Sequence, residues 1–251
     1  MTHKITWDSF EFTHELGHGG FGYVFLGELK HIKAKGIVKK YAVKCIQKDR
    51  LKGASLLKCI QLERNILHDA HSDFISKLHF AFRDDYHLYL ALDYAQGGDT
   101  YSLFCKHNSR FSAFKKAGED AVRFILACVI LGLEYLHKHH IMYRDLKPEN
   151  MLIYEDGYVK LADFGLAKIV KKGDKTTSQS GSPLYFAPEV VDKKKSYSKE
   201  IDLWALGIYA YELSNYEPPF EAEHIQNYTL FRALVKRAEK FRVWKDPYLS
   251  P

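Results

Sequence analysis

Three polar residues within "IMYRDLKPEN" (residues 141–150) have side chains suited to proton and phosphate chemistry. Asp145 can orient an attacking hydroxyl and accept its proton, and Lys147 can neutralise a transferred phosphoryl group. Asn150 offers a neutral oxygen to a hard cation. Since an ordinary surface loop rarely carries so many charged side chains between apolar flanks, the sequence predicts a loop that acts on a charged substrate.

A second carboxylate follows in "LADFG" (residues 161–165). The pattern places Asp163 at the end of a strand, where it can serve as a metal ligand. One carboxylate and one amide oxygen, from Asp163 and Asn150, suit Mg²⁺, which keeps waters and phosphate oxygens as its other ligands. For the D-F-G tripeptide taken alone, the alternative interpretation is a simple turn.

A glycine-rich stretch, "LGHGGFGYVF" (residues 16–25), has the spacing G-x-G-x-x-G-x-V through Gly17, Gly19 and Gly22. Without Cβ atoms, such a loop lets backbone N–H groups approach phosphate oxygens closely. A purely structural hairpin is the alternative. Strand-like segments on both sides argue against a dinucleotide-binding fold, in which the glycine loop opens a helix.

Lys44 and Glu63 both occupy positions that their elements should bury. Lys44 shares one face of the strand-like "YAVKCI" with apolar residues, and Glu63 lies on the apolar stripe that Leu56, Ile60 and Leu67 form along the next helix. Because an unpaired buried charge costs several kcal/mol, we expect the two to form an ion pair. The alternative is that Lys44 extends to solvent and Glu63 lies off the buried stripe.

The surrounding pattern predicts an α+β fold with two lobes. From Phe10 to about Leu92 the sequence is strand-like, with one helix from about Ser55 to Asp69; long helical stretches follow from about residue 118. We therefore expect a small β-rich lobe with one main helix (residues 1–96) and a larger, mostly helical lobe (residues 97–251). The glycine pair at 97 and 98 is the expected boundary.

Composition excludes several classes of protein. The formal charge of +6 comes from short lysine clusters, which are typical of solvated loops and match no nucleic-acid-binding module. The four cysteines have no metal-like or redox spacing. The longest apolar run has about ten residues, too short for a membrane span, and no signal-peptide core is present. These features predict a cytoplasmic protein, with nuclear shuttling left open.

Taken in order, these motifs resemble the signature set of eukaryotic protein kinases, over nearly the whole chain. Within that family, "YRDLKPEN", "LALDYAQGGD" and "GSPLYFAPE" are similar to the AGC group of serine/threonine kinases, which includes the cyclic-nucleotide-dependent kinases. The resemblance implies transfer of the γ-phosphate of ATP, with Mg²⁺, to a serine or threonine of a protein.

The resemblance also implies a site between the lobes. Backbone groups of Asp93 and Ala95 would hold adenine, Leu92 would gate a back pocket, and Asp99 would lie near the ribose. Lys44 would hold the α- and β-phosphates and Glu63 would hold Lys44. The remaining residues expected around the nucleotide are Leu16, Val24, Ala42 and Leu152, beside Gly17, Gly19 and Gly22.

Further resemblances concern support and regulation. Asp202 would brace the catalytic loop, which contains Asp145, Lys147 and Asn150. Four side chains would stack as a spine joining the lobes: Leu67, Leu78, Tyr143 and Phe164. Ser178 would be phosphorylated by an upstream activating kinase, with Thr176 and Thr177 as alternatives, and its phosphate would pair with Arg144 and Lys168.

Substrate preference follows from the same resemblance. Carboxylates at Asp99, Glu149 and Glu212 would meet arginines upstream of the target hydroxyl and so select basic peptides. Ser182, together with "LKPEN", implies serine or threonine as the acceptor.

Four departures from the family pattern complete the expectations. Cys59 stands where several relatives have a histidine, and "KHIKAKGIVKK" and "KHNSRFSAFKKAG" look like surface insertions. The family normally continues beyond the position of Pro251, with an arginine that pairs with Glu189, so we expect a truncated kinase. The alternative function is accordingly a kinase-like nucleotide-binding scaffold without turnover.

Overall fold

The small lobe is a five-stranded antiparallel sheet with one long helix against it. The computed structural model describes residues 4–19, 22–36, 38–51, 53–104, 109–171, 173–192 and 195–220. The sheet has the order β1-β2-β3-β5-β4. Its strands are β1 (Phe10–Gly19), β2 (Gly22–Leu29), β3 (Lys40–Gln47), β4 (Leu78–Arg83) and β5 (His87–Asp93). All five strands were predicted from alternation of apolar residues.

The two faces of this sheet are buried differently. One face carries an aromatic cluster in which the Trp7 and Phe12 rings stack at 3.9 Å, over a buried Phe10. The other face contributes Ile46 and Leu90 to a core shared with α2 (Ala54–Asp69). Because side chains alternate between the two faces of the sheet, β3 and β5 contribute to two cores, and Lys44 lies on the face of β3 that packs against α2.

The large lobe is built on two helices, α3 (Ser109–Lys138) and α5 (Glu200–Asn215). Its short elements are β6 (Gly98–Asp99), β7 (Ile141–Met142), β8 (Met151–Ile153), β9 (Val159–Leu161), β10 (Lys168–Ile169) and α4 (Pro188–Val191). Strands β6, β8 and β9 form one small sheet, and β7 pairs with β10. No helix among the described residues is long and apolar enough to cross a membrane.

The two segments expected to be surface insertions differ in the structure. The first contains α1 (Lys30–Lys33), whose Lys33 is 3.0 Å from the exposed Glu11 and 3.0 Å from the largely buried Glu28. The second is not a surface loop throughout: α3 begins at Ser109, well before the predicted start at residue 118. Gly118, at φ +59°, interrupts this helix, and Phe114 before it is buried.

Candidate active site

Lys44 joins the two lobes through two carboxylates. Its Nζ lies 2.8 Å from Glu63 Oε1 on α2 and 3.2 Å from Asp163 Oδ1 in the large lobe. Glu63 is 2% exposed, so the position on the apolar stripe of α2 predicted its burial correctly. The expected Lys44–Glu63 pair is present, and the interpretation that Lys44 extends to solvent is wrong.

The charge state of this cluster follows from burial and pairing. Burial lowers the pKa of Lys44, but the charges of Glu63 and Asp163 outweigh it, so the lysine pKa is raised. Burial raises the pKa of Glu63 although Lys44 opposes the shift. Burial also tends to raise the pKa of Asp163, but the charge and hydrogen bond of Lys44 leave it below its ordinary value. At neutral pH the lysine is therefore charged and ready to bind an anion.

Asp145 is the centre of a second polar cluster. Its Oδ1 accepts a hydrogen bond from the Ser182 hydroxyl at 3.0 Å, and its Oδ2 lies 3.0 Å from Lys147 Nζ. Lys147 also donates to the Ser182 hydroxyl at 3.2 Å. Asn150 Nδ2 donates to Asp145 Oδ2 and to its backbone carbonyl, each at 2.8 Å. The three residues predicted to do chemistry and Ser182 thus form one bonded group.

Asp202 on α5 stabilises the loop around Asp145 by accepting hydrogen bonds from its backbone. It is 1% exposed and accepts hydrogen bonds from the backbone N–H groups of Tyr143 at 2.9 Å and Arg144 at 2.8 Å. His137 at the end of α3 donates to the same carboxylate at 2.7 Å. Arg144 has a positive φ of 69°, which these bonds stabilise. The sequence predicted the brace from Asp202 but gave no signal for His137.

Asn150 and Asp163 form a donor set that fits Mg²⁺. The backbone carbonyl of Asn150 accepts from the N–H of Ala162 at 3.0 Å, so the neighbouring Asp163 lies beside the catalytic loop. Its carboxylate is 51% exposed and keeps a lowered pKa, as a hard-cation ligand requires. Mg²⁺ held by these two side chains would take waters and phosphate oxygens as its remaining ligands.

The glycines of the β1–β2 hairpin differ in how closely other atoms approach their α-carbons. A Cβ on Gly22 would lie 1.8 Å from the carbonyl oxygen of Cys45, so close approach of β2 to β3 requires glycine there. A Cβ on Gly17 or Gly19 would meet no described atom within 4 Å. Packing among the described residues therefore explains Gly22 alone, and the tip residues 20 and 21 lie outside the described ranges.

The residues expected around adenine are neighbours in the sheets. Strand register pairs Val24 with Lys44, and Ala42 with Leu92. In the large lobe Leu152 pairs with Asp99, while Leu16 at the start of the hairpin is 38% exposed.

The backbone around Asp93 is partly occupied by the protein itself. Its N–H already donates to the Lys77 carbonyl at 3.0 Å, so an adenine contact at Asp93 would use the carbonyl. Two residues on, the Ala95 carbonyl accepts from the N–H of Gly98 at 3.1 Å, so an adenine contact at Ala95 would use the N–H. The Asp93 side chain accepts a short hydrogen bond from His79, a partner that the sequence did not reveal.

The segment around Ser178 is ordered by hydroxyl groups. Arg144 Nη1 donates to the Ser178 hydroxyl at 3.0 Å, as the resemblance implies. Lys168 instead donates to Thr176 Oγ1 at 2.8 Å, so its expected contact with residue 178 is indirect. Thr176 is 8% exposed and its backbone forms a bridge to Tyr197 at 2.9 Å on both sides. Of the three candidate hydroxyls, Thr177 and Ser178 are exposed and Thr176 is buried.

The three carboxylates expected to bind basic peptides differ in exposure. Glu149 is exposed, and Asp99 is partly exposed, with Oδ1 accepting from the N–H of Ser102 at 2.8 Å. Glu212 is 5% exposed and accepts from the Tyr185 hydroxyl at 2.5 Å. Contrary to the expectation of an open cleft, Glu212 is thus enclosed by the protein, because α5 faces the core at this position.

The four predicted spine residues belong to one apolar core. Leu67, Tyr143 and Phe164 are at most 2% exposed, and Leu78 packs against them from β4. The rings of Tyr143 and Phe164 lie 5.3 Å apart. This core contains residues of α2 and β4 in the small lobe together with Tyr143 and Phe164 of the large lobe.

A β-rich lobe and a helical lobe that share an ion-paired lysine, a glycine hairpin and two aspartates define the class of protein kinases. A family model described as protein kinase domain matches residues 10–247, and the chain belongs to this family of ATP-dependent phosphotransferases, within its AGC group of serine/threonine kinases. The predicted bilobal α+β fold is likewise confirmed.

The similar curated proteins include cGMP-dependent kinases. The chain is 39% identical over 216 residues to cGMP-dependent protein kinase, isozyme 1, of Drosophila melanogaster, covering 86% of the chain and 27% of the relative. It is 38% identical over 225 residues to cGMP-dependent protein kinase 2 of Rattus norvegicus, covering 90% and 28%. Serine/threonine-protein kinase sgk-1 of Caenorhabditis elegans is 39% identical over 217 residues, covering 86% and 44%. The chain thus spans less than half the length of each of these relatives.

Proposed function

We propose that this chain transfers the γ-phosphate of Mg-ATP to serine or threonine hydroxyls in basic peptides. The observation that carries the proposal is Lys44 bonded to both Glu63 and Asp163, which fixes a cation at the junction of the lobes. A charged, immobilised lysine at this place binds phosphate oxygens without further reorganisation.

Asp145 performs the proton step. Its carboxylate, now bonded to the Ser182 hydroxyl, orients the substrate hydroxyl and accepts its proton as the new O–P bond forms and the bond to the ADP oxygen breaks. Lys147, 3.0 Å from the same carboxylate, offsets the negative charge of the transferred group. Asn150 and Asp163 would hold Mg²⁺, which supplies further neutralisation of phosphate charge when bound.

The preference for basic peptides rests on the carboxylates near the catalytic loop. Glu149 is exposed directly before Asn150, and Asp99 is accessible beside β8. The pKa of the buried Glu212 is raised, first by burial and then by the negative charge of Glu149. An arginine of the substrate would pair with the exposed carboxylate of Glu149 and the partly exposed carboxylate of Asp99, whereas Glu212 is enclosed by the protein.

We further propose that phosphorylation of Ser178 by an upstream kinase strengthens this arrangement. Arg144 already donates to the Ser178 hydroxyl, and a phosphate would replace this neutral acceptor with a negatively charged one that forms an ion pair with the guanidinium. Lys168 donates to the Thr176 hydroxyl, which lies 3.2 Å from the Ser178 hydroxyl, so its ammonium would contribute a second positive charge near the phosphate.

One assay tests the proposal. Purified chain, labelled ATP, Mg²⁺ and an arginine-rich serine peptide are incubated beside Asp145→Asn and the surface control Asp73→Asn. Transfer by wild type and Asp73→Asn, but not by Asp145→Asn, supports the enzyme, and replacing the peptide arginines with alanine should lower kcat/KM. ATP-dependent thermal stabilisation without transfer would instead support the nucleotide-binding scaffold.

A further inference from the structure

The segment that connects the lobes is held at Gly97 on both sides of its α-carbon. The N–H of Gly97 donates to the Ile153 carbonyl at 2.9 Å, and its carbonyl accepts a short hydrogen bond from Arg110 Nη1. Bending of the backbone at this position would break one of these bonds. Gly97 lies two residues after Ala95, which is expected to contact adenine.

The glycine pair fits closely against its neighbours. A Cβ on Gly97 would lie 2.6 Å from Ile153, and one on Gly98 would lie 3.2 Å from Arg110 Nη1. Gly98 also has a φ of +70°, a conformation that favours glycine. The guanidinium of Arg110 therefore packs directly on the glycine pair as well as bonding to it.

Arg110 comes from a part of α3 that is anchored to the large lobe. Residues 109–117, which we name the α3 arm, precede the interruption at Gly118. Phe111 and Phe114 of this arm contact the ring of Tyr216, with centroids 5.3 and 6.1 Å apart, and Tyr216 caps the end of α5. The α3 arm thus links the end of α5 to the segment that connects the lobes.

We propose that Arg110 is a positioning residue that restrains the lobe connection at Gly97 and thereby slows release of bound nucleotide. The proposal rests on the proposed function, since it requires that ATP and ADP bind between the lobes. Nucleotide leaves such a cleft when the lobes separate, and the connecting segment must bend for that motion. Loss of one charged donor to a backbone carbonyl should make this bending easier.

The first test measures ADP release. Wild type, Arg110→Ala, Arg110→Lys and the control Lys116→Ala, an exposed lysine of the same arm, are loaded with a fluorescent ADP analogue and chased with ATP in a stopped-flow instrument. Arg110→Ala should release the analogue about threefold to tenfold faster, the scale of the net contribution of one solvent-exposed hydrogen bond. Arg110→Lys should fall between it and wild type, and Lys116→Ala should match wild type.

The second test needs no nucleotide. Hydrogen exchange of a peptide spanning residues 95–99 should be faster in Arg110→Ala than in wild type, while the melting temperatures agree within about 2 °C because the side chain is exposed. Unchanged exchange, or faster exchange with an unchanged rate of ADP release, would overturn the proposal. Failure of the wild type to bind the ADP analogue would instead reject the proposed function, and the exchange result would still decide whether Arg110 restrains Gly97.

Discussion

At the scale of single residues, a cation partner decides in which direction the pKa of a carboxylate shifts. Asp163 is paired with Lys44 and its pKa is lowered, whereas Glu212 is enclosed and its pKa is raised, first by burial and then by the charge of Glu149. The hydrogen bond from Tyr185 opposes the shift in Glu212 without cancelling it. Two acids of the same protein thus have pKa values shifted in opposite directions, Asp163 downward by its cation partner and Glu212 upward by burial.

The raised pKa of Glu212 predicts a pH-dependent stability difference. A glutamate in the unfolded chain has a pKa of about 4.3. Above that pH the unfolded chain has released a proton that folded Glu212 still holds. The free energy of unfolding therefore falls as pH rises through the folded pKa. Gln at this position keeps an acceptor for Tyr185 but does not titrate. We expect Glu212→Gln to be more stable than wild type at pH 8 and about equal to it near pH 4 in urea unfolding. A difference that does not change with pH, or an equal effect of the exposed control Glu217→Gln, would contradict this.

Thr176 is predicted to act as a structural hydroxyl. It is buried and accepts the hydrogen bond of Lys168, so Thr176→Val leaves that ammonium without its acceptor. The expected loss of stability is about 1 to 3 kcal/mol, measured by chemical denaturation. The adjacent exposed Thr177→Val is the matched control and should cost less than about 0.5 kcal/mol. Equal effects of the two substitutions would remove the role assigned to Thr176.

At the scale of elements, the sequence predicted structure wherever local periodicity determined it. Alternation identified the five strands of the small lobe, and helical spacing placed Glu63 on the buried side of α2. The start of α3 was missed because residues 109–117 are held by contacts of Phe111 and Phe114 with Tyr216, about a hundred residues away in the chain. Periodicity carries no information about such distant partners.

The polar residues of the site likewise divide into those that the sequence identified and those that it did not. Motif spacing identified Lys44, Asp145 and Asp163, because their residue types suit the chemistry. His79 and His137, which bond to Asp93 and Asp202, were not identified, since a single histidine in an apolar element does not indicate its acceptor. Tertiary geometry alone reveals them.

Strand packing predicts different effects for the hairpin glycines. The Cβ of Gly22→Ala would collide with the Cys45 carbonyl, so β2 must move away from β3, at a cost of about 1 to 3 kcal/mol. Gly19→Ala meets no described atom and should change stability by less than about 1 kcal/mol while weakening ATP binding. Chemical denaturation and ATP titration of both variants separate the two roles. A Gly22→Ala variant as stable as wild type would be inconsistent with this packing.

At the scale of the whole molecule, one apolar core runs through both lobes. It includes Ile46 and Leu90 of the small lobe together with Leu133 and Tyr209 of the large lobe. Phe164 lies fully buried within it, beside Tyr143. Polar links run parallel to this core, since Lys44 bridges α2 to Asp163. Because both kinds of contact cross between the lobes, neither lobe should unfold without affecting the other.

Cooperative unfolding can be measured with tryptophans placed by the fold. Trp7 reports on the small lobe and Trp204 on α5, so single-tryptophan variants made by Trp→Phe changes elsewhere should give coinciding urea midpoints. Phe164→Ala creates a cavity at the junction, and we expect a loss of about 3 to 5 kcal/mol together with separation of the two midpoints. Phe124→Ala, at a position 44% exposed, is the control and should leave them coincident. Separate midpoints in the unmodified background would show that neither the shared core nor the polar link through Lys44 couples the unfolding of the two lobes.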